Sequence, residues 1–108
     1  MGNDLAKEIK KAKNKEKLDI SGRGLEEIPD TISKCKLVKD VSFANNALSY
    51  LPPELGQCDK IEILHLEHNR LNGVPEEIGR LRQLEELYAA ALLMMTISLN
   101  VPGLASSI

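Results

Sequence analysis

The sequence has almost no aromatic side chains: its 108 residues include one phenylalanine, two tyrosines and no tryptophan. A hydrophobic core therefore has to be built from aliphatic side chains. The net charge is also small, at −2, although residues 1–17 carry six lysines against three acids and residues 18–86 carry eight basic and thirteen acidic side chains. Neither the basic arm nor the acidic body is strong enough to indicate nucleic acid as a partner.

A secretory signal is missing from the N-terminus, which is rich in lysine and glutamate and lacks an apolar segment of about 7 to 15 residues. The chain has only two cysteines, which is typical of proteins from a reducing compartment. We therefore expect a cytoplasmic protein. A length of 108 residues predicts a single domain.

The sequence also has few groups suited to catalysis. Its glycines are scattered turn residues and form no phosphate-binding loop. His65 and His68 flank Glu67, but they fall on opposite sides of a strand, and no third metal ligand has suitable spacing. Pairs of adjacent acids, such as Glu76 with Glu77, are typical of solvated faces. We therefore expect no enzymatic activity, no metal and no cofactor.

The feature that dominates the sequence is an internal repeat of 23 residues. It is clearest in the segment from Ile61 to Leu84, IEILHLEHNRLNGVPEEIGRLRQL. Matching positions recur in the rows Leu18, Val41 and Leu64; Ile20, Phe43 and Leu66; Leu25, Leu48 and Leu71; Ile28, Leu51 and Val74; Pro29, Pro52 and Pro75; Ile32, Leu55 and Ile78. The unit L-x-x-L-x-L-x-x-N-x-L-x-x-L-P-x-x-I-x-x-L predicts an α/β leucine-rich repeat solenoid with a curved parallel sheet and one short strand per coil.

Side-chain periodicity explains this prediction. In L-x-L the two leucines share one face of a strand and point into the coil, while the residue between them points outward. One coil cannot bury its leucines alone, so coils stack and their strands pair in parallel. Asn46 and Asn69 fall where the chain turns out of the strand, and we expect them to form a ladder that binds the free backbone groups of the turn. The proline then prevents further sheet pairing.

We expect a repeat domain over residues 18–88, with units at 18–40, 41–63 and 64–86 and the start of a fourth. The first unit has Arg23 in place of the ladder asparagine, so its neighbours Gly22 and Gly24 are expected to make the turn. Cys35 and Cys58 both fill leucine positions, which predicts small buried hydrophobic residues. Neighbouring rungs, the paired strands of successive coils, lie about 4.8 Å apart. A disulfide tolerates this distance, so the spacing does not exclude a bond between Cys35 and Cys58.

Residues 1–17 predict an N-terminal helical cap, with Asn3 or Asp4 at its N-cap. Leu5 and Ile9 fall on apolar positions of the repeat and are expected to cover the open end of the core. A second interpretation remains open, because Gly2 follows the initiating Met. Its myristoylation, assisted by the lysines, would make the chain a peripheral membrane module, although Ala6 stands where the motif asks for Ser or Thr.

Residues 89–108 form an uncharged tail that is either degenerate or unrelated to the repeat. A degenerate fourth coil keeps part of the 23-residue frame at Leu87, Met94, Ile97, Val101 and Leu104. The interpretation that we prefer is an unrelated tail, as in a truncated or alternatively ended product of a longer repeat protein. That such a short product has no independent function is a separate alternative to the binding and membrane functions. A membrane anchor is the third, although the most apolar part, 87–99, is shorter than the roughly 20 residues of a spanning helix.

The outward residues of the strands fall in columns across the rungs and mix acidic, polar and aromatic groups. We expect them to form a concave face that binds a protein partner, because rigid strands hold these side chains at fixed spacing. The predicted binding residues are Asp19, Asp40, Ser42, Ala44, Asn45, Ile63, His65, Glu67, His68, Glu86 and Tyr88.

The segment LHLEHNRLNGVPEEIGRLRQLEEL resembles the 23-residue repeat of intracellular leucine-rich repeat proteins such as the Ras suppressor and the Soc-2-like scaffolds of Ras signalling. LDISGRGLEEIP resembles their opening unit. The resemblance covers residues 18–88. It implies a non-catalytic protein interaction module that serves as an intracellular adaptor or scaffold in signalling, with a link to small GTPases.

Overall fold

The structure, a computed structural model, describes residues 2–101 and residue 104. Each strand is followed by a short helix that returns the chain, and η denotes a 3₁₀ helix. The elements are α1 (Gly2–Lys11), β1 (Lys17–Asp19), η1 (Asp30–Lys34), β2 (Asp40–Ser42), η2 (Pro53–Gln57), β3 (Ile63–His65), η3 (Glu76–Arg80), β4 (Glu86–Tyr88) and α2 (Ala91–Asn100). The repeated prolines Pro29, Pro52 and Pro75 occupy the N-cap positions of η1, η2 and η3.

The four strands form one parallel sheet in the order β1-β2-β3-β4. Their pairing follows the 23-residue interval, since Leu18 pairs with Val41, Val41 with Leu64 and Leu64 with Leu87. In every strand the central residue is buried and its two neighbours are exposed or half-buried, as the two-residue period of a strand requires. The predicted solenoid with one short strand per coil is confirmed.

The core is one continuous cluster that runs through all the coils, and Phe43 is its only aromatic ring. Among the described residues, no polar or charged side chain is fully buried. The largest fully enclosed side chains are mostly those predicted from the repeat: Ile20, Ile32, Phe43, Leu48, Leu55, Ile61, Leu64, Leu66, Ile78, Leu81 and Leu84, together with Ile9 of α1. Each of them packs against its counterparts on neighbouring coils, so the hydrophobic stabilisation depends on stacking.

The N-terminal helix is shorter than the predicted span of 1–17, because α1 ends at Lys11 and Lys17 already belongs to β1. Tight turns join them: the amides of Ala12, Lys13 and Lys15 each bind the carbonyl three residues earlier. The helix also begins at Gly2, ahead of Asn3 and Asp4, the predicted N-cap residues. Its apolar side covers the end of the core as expected, with Ile9 fully enclosed and Leu5 partly buried.

An ion pair joins the helical cap to the first coil. The Arg23 guanidinium donates to both carboxylate oxygens of Glu8, and this bidentate contact raises the pKa of Arg23. Arg23 stands where later coils have the ladder asparagine. In the first coil this position therefore reaches back to the cap. Both side chains are more than two-fifths exposed, so the pair orients the helix more than it stabilises it.

Asn46 and Asn69 bind the turns of two coils at once. The Asn46 amide oxygen accepts from the backbone N–H groups of Arg23 and Leu25, at 2.9 and 3.0 Å, and its nitrogen donates to the Ile20 carbonyl at 3.1 Å. These three partners lie on the preceding coil. Asn69 is placed in the same way: its oxygen accepts from the Leu48 amide at 3.0 Å. Each asparagine therefore satisfies turn groups that belong to the coil before it.

Next to this ladder the backbone adopts a left-handed conformation at the same place in each of the three repeat units. The φ angles are 68° at Gly22, 57° at Asn45 and 59° at His68, and these three residues are 23 apart. Glycine adopts this region freely, and asparagine and histidine adopt it more often than most other residues do. Gly24 is also left-handed, with φ 67°, so both glycines around Arg23 serve the turn as predicted.

The described part of the uncharged tail covers the C-terminal end of the core. The structure buries Leu93, Ile97, Val101 and Leu104, and three of them keep the 23-residue frame, which favours the degenerate fourth coil over the unrelated tail; this assignment stays a prediction. Helix α2 rests on η3, and a Cβ added at Gly79 would lie 3.2 Å from the Asn100 carbonyl oxygen. Residues 102, 103 and 105–108 of the tail lie outside the described part.

The outer side of α2 carries no charge and exposes Leu92, Met95 and Leu99. Within residues 2–101, no helix combines the length and the apolar character that a membrane span needs. Membrane association through Gly2 or through the tail stays a prediction.

The buried position of Leu66 generates a test of the core. Leu66 is 2% exposed, so Leu66→Ala leaves a cavity between coils and should lower the free energy of unfolding by about 2 to 5 kcal/mol. Leu92, which is 81% exposed, provides the matched control, and Leu92→Ala should change it by about 0.5 kcal/mol or less. Urea denaturation followed by circular dichroism measures both. Equal midpoints for the two variants would contradict the assignment of inside and outside.

The ladder generates a second test. Asn69→Ala leaves the Leu48 amide without its side-chain partner and removes one of the two asparagine amides that donate to the Phe43 carbonyl, so it should cost about 1 to 3 kcal/mol of unfolding free energy. Asn72 is exposed three residues later, and Asn72→Ala should behave like the parent. Thermal melts of the two variants measure the change in stability, and amide hydrogen exchange measures the protection of the Leu48 amide. Unchanged protection at Leu48 would exclude the ladder.

Candidate functional site

The outward side chains of the strands lie in columns on the side of the sheet opposite the core. We call this surface, together with the turn residues that follow each strand, the sheet face; it is the predicted concave face. Strand pairing gives a first column of Lys17, Asp40, Ile63 and Glu86 and a second column of Asp19, Ser42, His65 and Tyr88.

Ten of the eleven predicted binding residues are accessible on this face. Asp40, Ser42, Ile63, His65 and Glu67 are half-buried, and Asp19, Asn45, His68, Glu86 and Tyr88 are exposed. Ala44 differs, because it is only 5% exposed. Its carbonyl accepts hydrogen bonds from the Gly22 amide at 3.0 Å and from the Asn46 side chain at 3.2 Å, and its short side chain offers little surface to a partner. Ala44 is therefore removed from the binding residues.

An aromatic stack occupies the second column. The rings of His65 and Tyr88 have centroids 4.5 Å apart and are inclined by 5°, because their strands are neighbours and their positions are paired. His65 Nδ1 lies 3.4 Å from Glu67 Oε2, so the imidazole is bordered by a ring on one side and by a carboxylate at its edge. The spacing of 23 residues placed the two rings in one column, but the parallel contact depends on side-chain torsions that no sequence pattern specifies.

Carboxylates surround this stack. The Tyr88 hydroxyl donates to Glu86 Oε1 at 2.9 Å, and this hydrogen bond is the main reason why the pKa of Tyr88 is raised. The charges of Glu86, Glu67 and Asp40 raise the pKa further, so carboxylates from three successive coils act on one hydroxyl. The tyrosine therefore lies in a region of negative potential.

Asp19 lies at the other end of the second column and is fixed by its own turn. The Ser21 hydroxyl donates to Asp19 Oδ1 at 2.6 Å and the Ser21 amide donates to the same oxygen at 3.0 Å. Both bonds favour the ionised form and lower the pKa of Asp19, the hydroxyl contributing more. Asp19 therefore remains charged under mildly acidic conditions.

The prediction from the sequence missed the polar contacts outside the sheet face. One of them is the Arg23–Glu8 ion pair, whose partners belong to different predicted domains. Another is the hydrogen bond from the Tyr50 hydroxyl to Glu27 Oε2, at 2.6 Å, which borders an open groove of about 730 Å³ lined by Leu5, Leu25 and Pro29. Tyr50 and Glu27 are 23 residues apart, so the repeat itself could have identified this pair.

The two cysteines are free and buried, and both use their thiols in the same way. Cys35 Sγ donates to the Ile9 carbonyl at 3.3 Å and Cys58 Sγ to the Ile32 carbonyl at 3.1 Å. Burial raises the pKa of both thiols, that of Cys58 to about 12. A thiolate is therefore disfavoured at both positions. Within the described ranges, no cluster of three His, Cys, Asp or Glu side chains could hold a metal ion.

Comparison with known proteins shows which fold this geometry resembles. A family model described as Leucine Rich Repeat matches residues 60–81. Among solved structures, the leucine-rich repeat domain of the type III effector XopL aligns with a TM-score of 0.70 at 24% identity, over 82% of this chain and 29% of that chain. A leucine-rich repeat protein of Leptospira interrogans aligns with a TM-score of 0.39 at 23% identity, over 77% and 33% of the two chains.

The likeness to the XopL domain shows the fold, and this chain spans less than a third of that chain. The second alignment has too low a TM-score to support an inference. No curated protein sequence matches this chain. Leucine-rich repeat domains are generally protein–protein interaction modules, whereas the specific likeness to the Ras suppressor stays a prediction.

The buried thiols generate a prediction about alkaline stability. Unfolding returns the pKa of Cys58 from about 12 to its ordinary value of 9.0. Above pH 9 the unfolded chain therefore releases a proton that the folded chain retains, and the free energy of unfolding should fall as the pH rises from about 9 to about 12. Urea titrations across this range measure the slope.

Cys58→Leu is the matched control, because Leu81 fills the equivalent position in the next coil. In this variant the free energy of unfolding should fall less steeply as the pH rises. A part of the decline should remain, because the pKa values of Tyr50 and Tyr88 are also raised. An identical slope in the parent and in the variant would show that the thiol does not contribute.

Proposed function

We propose that this leucine-rich repeat solenoid is a non-catalytic module that binds a protein partner through its sheet face. The observation that carries the proposal is the register of the strands, which holds Asp40, Ile63 and Glu86 in one column and Ser42, His65 and Tyr88 in the next. Apart from the aliphatic Ile63 these side chains are polar or aromatic, and all of them are at least partly exposed.

Rigidity of the backbone supports this function. Every strand of the sheet face is paired with a neighbour, and the turns after β2 and β3 are tied by Asn46 and Asn69. The partner would therefore meet a surface that loses little conformational freedom on binding, which favours affinity from a small contact area.

We further propose that the module acts as an adaptor or scaffold in cytoplasmic signalling, including signalling by small GTPases. The support is the resemblance of residues 18–88 to the repeats of the Ras suppressor and Soc-2-like proteins, and the use of two cysteines as free core residues. An adaptor needs a stable surface and no chemistry of its own, and the sheet face offers that combination.

Affinity capture from cell lysate tests the binding function. The bait is the full chain, compared with a variant that combines His65→Ala, Glu67→Ala and Tyr88→Ala. Because a few central residues dominate most interfaces, the partner should be retained about tenfold less by this variant.

The matched control combines Tyr50→Ala, Glu76→Ala and Gln83→Ala, which replace another tyrosine, another glutamate and another polar side chain at exposed positions away from the sheet face. Circular dichroism must first show that all three baits are folded. Retention of the same proteins by the sheet-face variant, or their equal loss from the control, would refute binding through this face.

A further inference from the structure

We propose that the partner presents a basic segment, and that an arginine side chain of this segment docks on the sheet face over Ile63, between Asp40 and Glu86 and against the His65–Tyr88 stack. This inference rests on the proposed function and adds to it the chemistry of the partner. Three features of the sheet face carry it: an apolar floor, an aromatic wall and a rim of carboxylates.

The floor is Ile63, the only purely hydrocarbon side chain among the outward residues of the four strands. It is half-buried, and strand pairing places Asp40 on the rung before it and Glu86 on the rung after it. Because rungs are spaced by about 4.8 Å, one apolar patch lies between two carboxylates. An arginine or lysine fits this pattern, since its stem is apolar and its end is charged.

The aromatic wall selects arginine over lysine. Tyr88 lies on the last strand of the sheet; one face of its ring covers His65, and the residue remains 43% exposed. A guanidinium is planar, so from a stem that lies over Ile63 it can extend past Glu86 and stack on the other face of Tyr88, while its N–H groups donate to the Glu86 carboxylate. A lysine ammonium has no plane to stack and gains only the charge interaction.

The charge of the sheet face favours a cation. Asp19, Asp40, Glu67 and Glu86 face outward, against Lys17 on β1, two rungs from Ile63, and Arg23 in the turn after β1, which is already bound to Glu8. The carboxylates of Glu86, Glu67 and Asp40 together raise the pKa of Tyr88, which places their combined field at the proposed docking position. The same field would repel a nucleic acid or an anionic bilayer.

The test uses the peptide acetyl-Gly-Arg-Gly-Arg-Gly-amide and the full-length chain, with binding followed by chemical-shift titration at low ionic strength, where screening is weak. The amides of β3 and β4 should shift most. Replacing arginine by citrulline, which keeps the shape and removes the charge, should weaken binding about tenfold. Replacing arginine by lysine should weaken it about threefold to tenfold.

Two variants separate the charge from the stack. Glu86→Gln should weaken the arginine peptide and the lysine peptide alike, whereas Tyr88→Leu should abolish the preference between them. Glu76→Gln, at an exposed acid of η3, changes the net charge by the same amount and should leave both affinities unchanged. Circular dichroism melts confirm that each variant is folded.

Several outcomes would overturn the inference: no shift in β3 or β4, equal binding of the citrulline peptide, or an effect of Glu76→Gln as large as that of Glu86→Gln. These results would leave the proposed function standing if lysate capture still depended on His65, Glu67 and Tyr88. If capture did not depend on these residues while the peptide still bound as expected, the chemistry of the site would stand and its assignment to a protein partner would fail.

Discussion

Each coil of this chain can bury its leucines only against the coil beside it, and this constraint organises the rest of the structure. A three-residue strand offers one inward side chain, such as Val41 or Leu64, which is too little apolar surface to hold a fold alone. Stacking at a constant interval multiplies that surface into one core. The same stacking aligns the outward residues, so the order of the sheet face is a consequence of core packing.

The polar backbone groups of the turns also depend on the neighbouring coil, through the asparagine ladder. Asn46 binds the backbone of the first coil and Asn69 that of the second, so each asparagine serves the coil before its own. The first coil therefore needs no asparagine of its own, because the helix before it offers no such turn. Arg23 is free to bind Glu8 instead, and the irregular first repeat follows from the direction in which the ladder acts.

The interior of the repeat array could be predicted from the 23-residue repeat, whereas details of its two ends could not. Positions such as Leu66 and Ile78 could be assigned because their environment recurs every 23 residues, and so could the columns of the sheet face. The length of α1 depends on the turns around Ala12, which occur once. Ala44 was misplaced because alternation alone does not show that its carbonyl is held from two sides. The stack of His65 on Tyr88 needed side-chain torsions, which periodicity does not contain.

The two ends of the array differ in a way that the ladder explains. The fourth coil has Leu92 where an asparagine would bind the turn of the third, and Leu92 is exposed on α2. A further coil could not be tied to the third by the same bonds, so a helix covers the core there with Leu93 and Ile97. The stacking therefore ends where the ladder ends. Among the strands that the structure describes, β4 is the last, so Tyr88 has no paired outward side chain beyond it and remains 43% exposed.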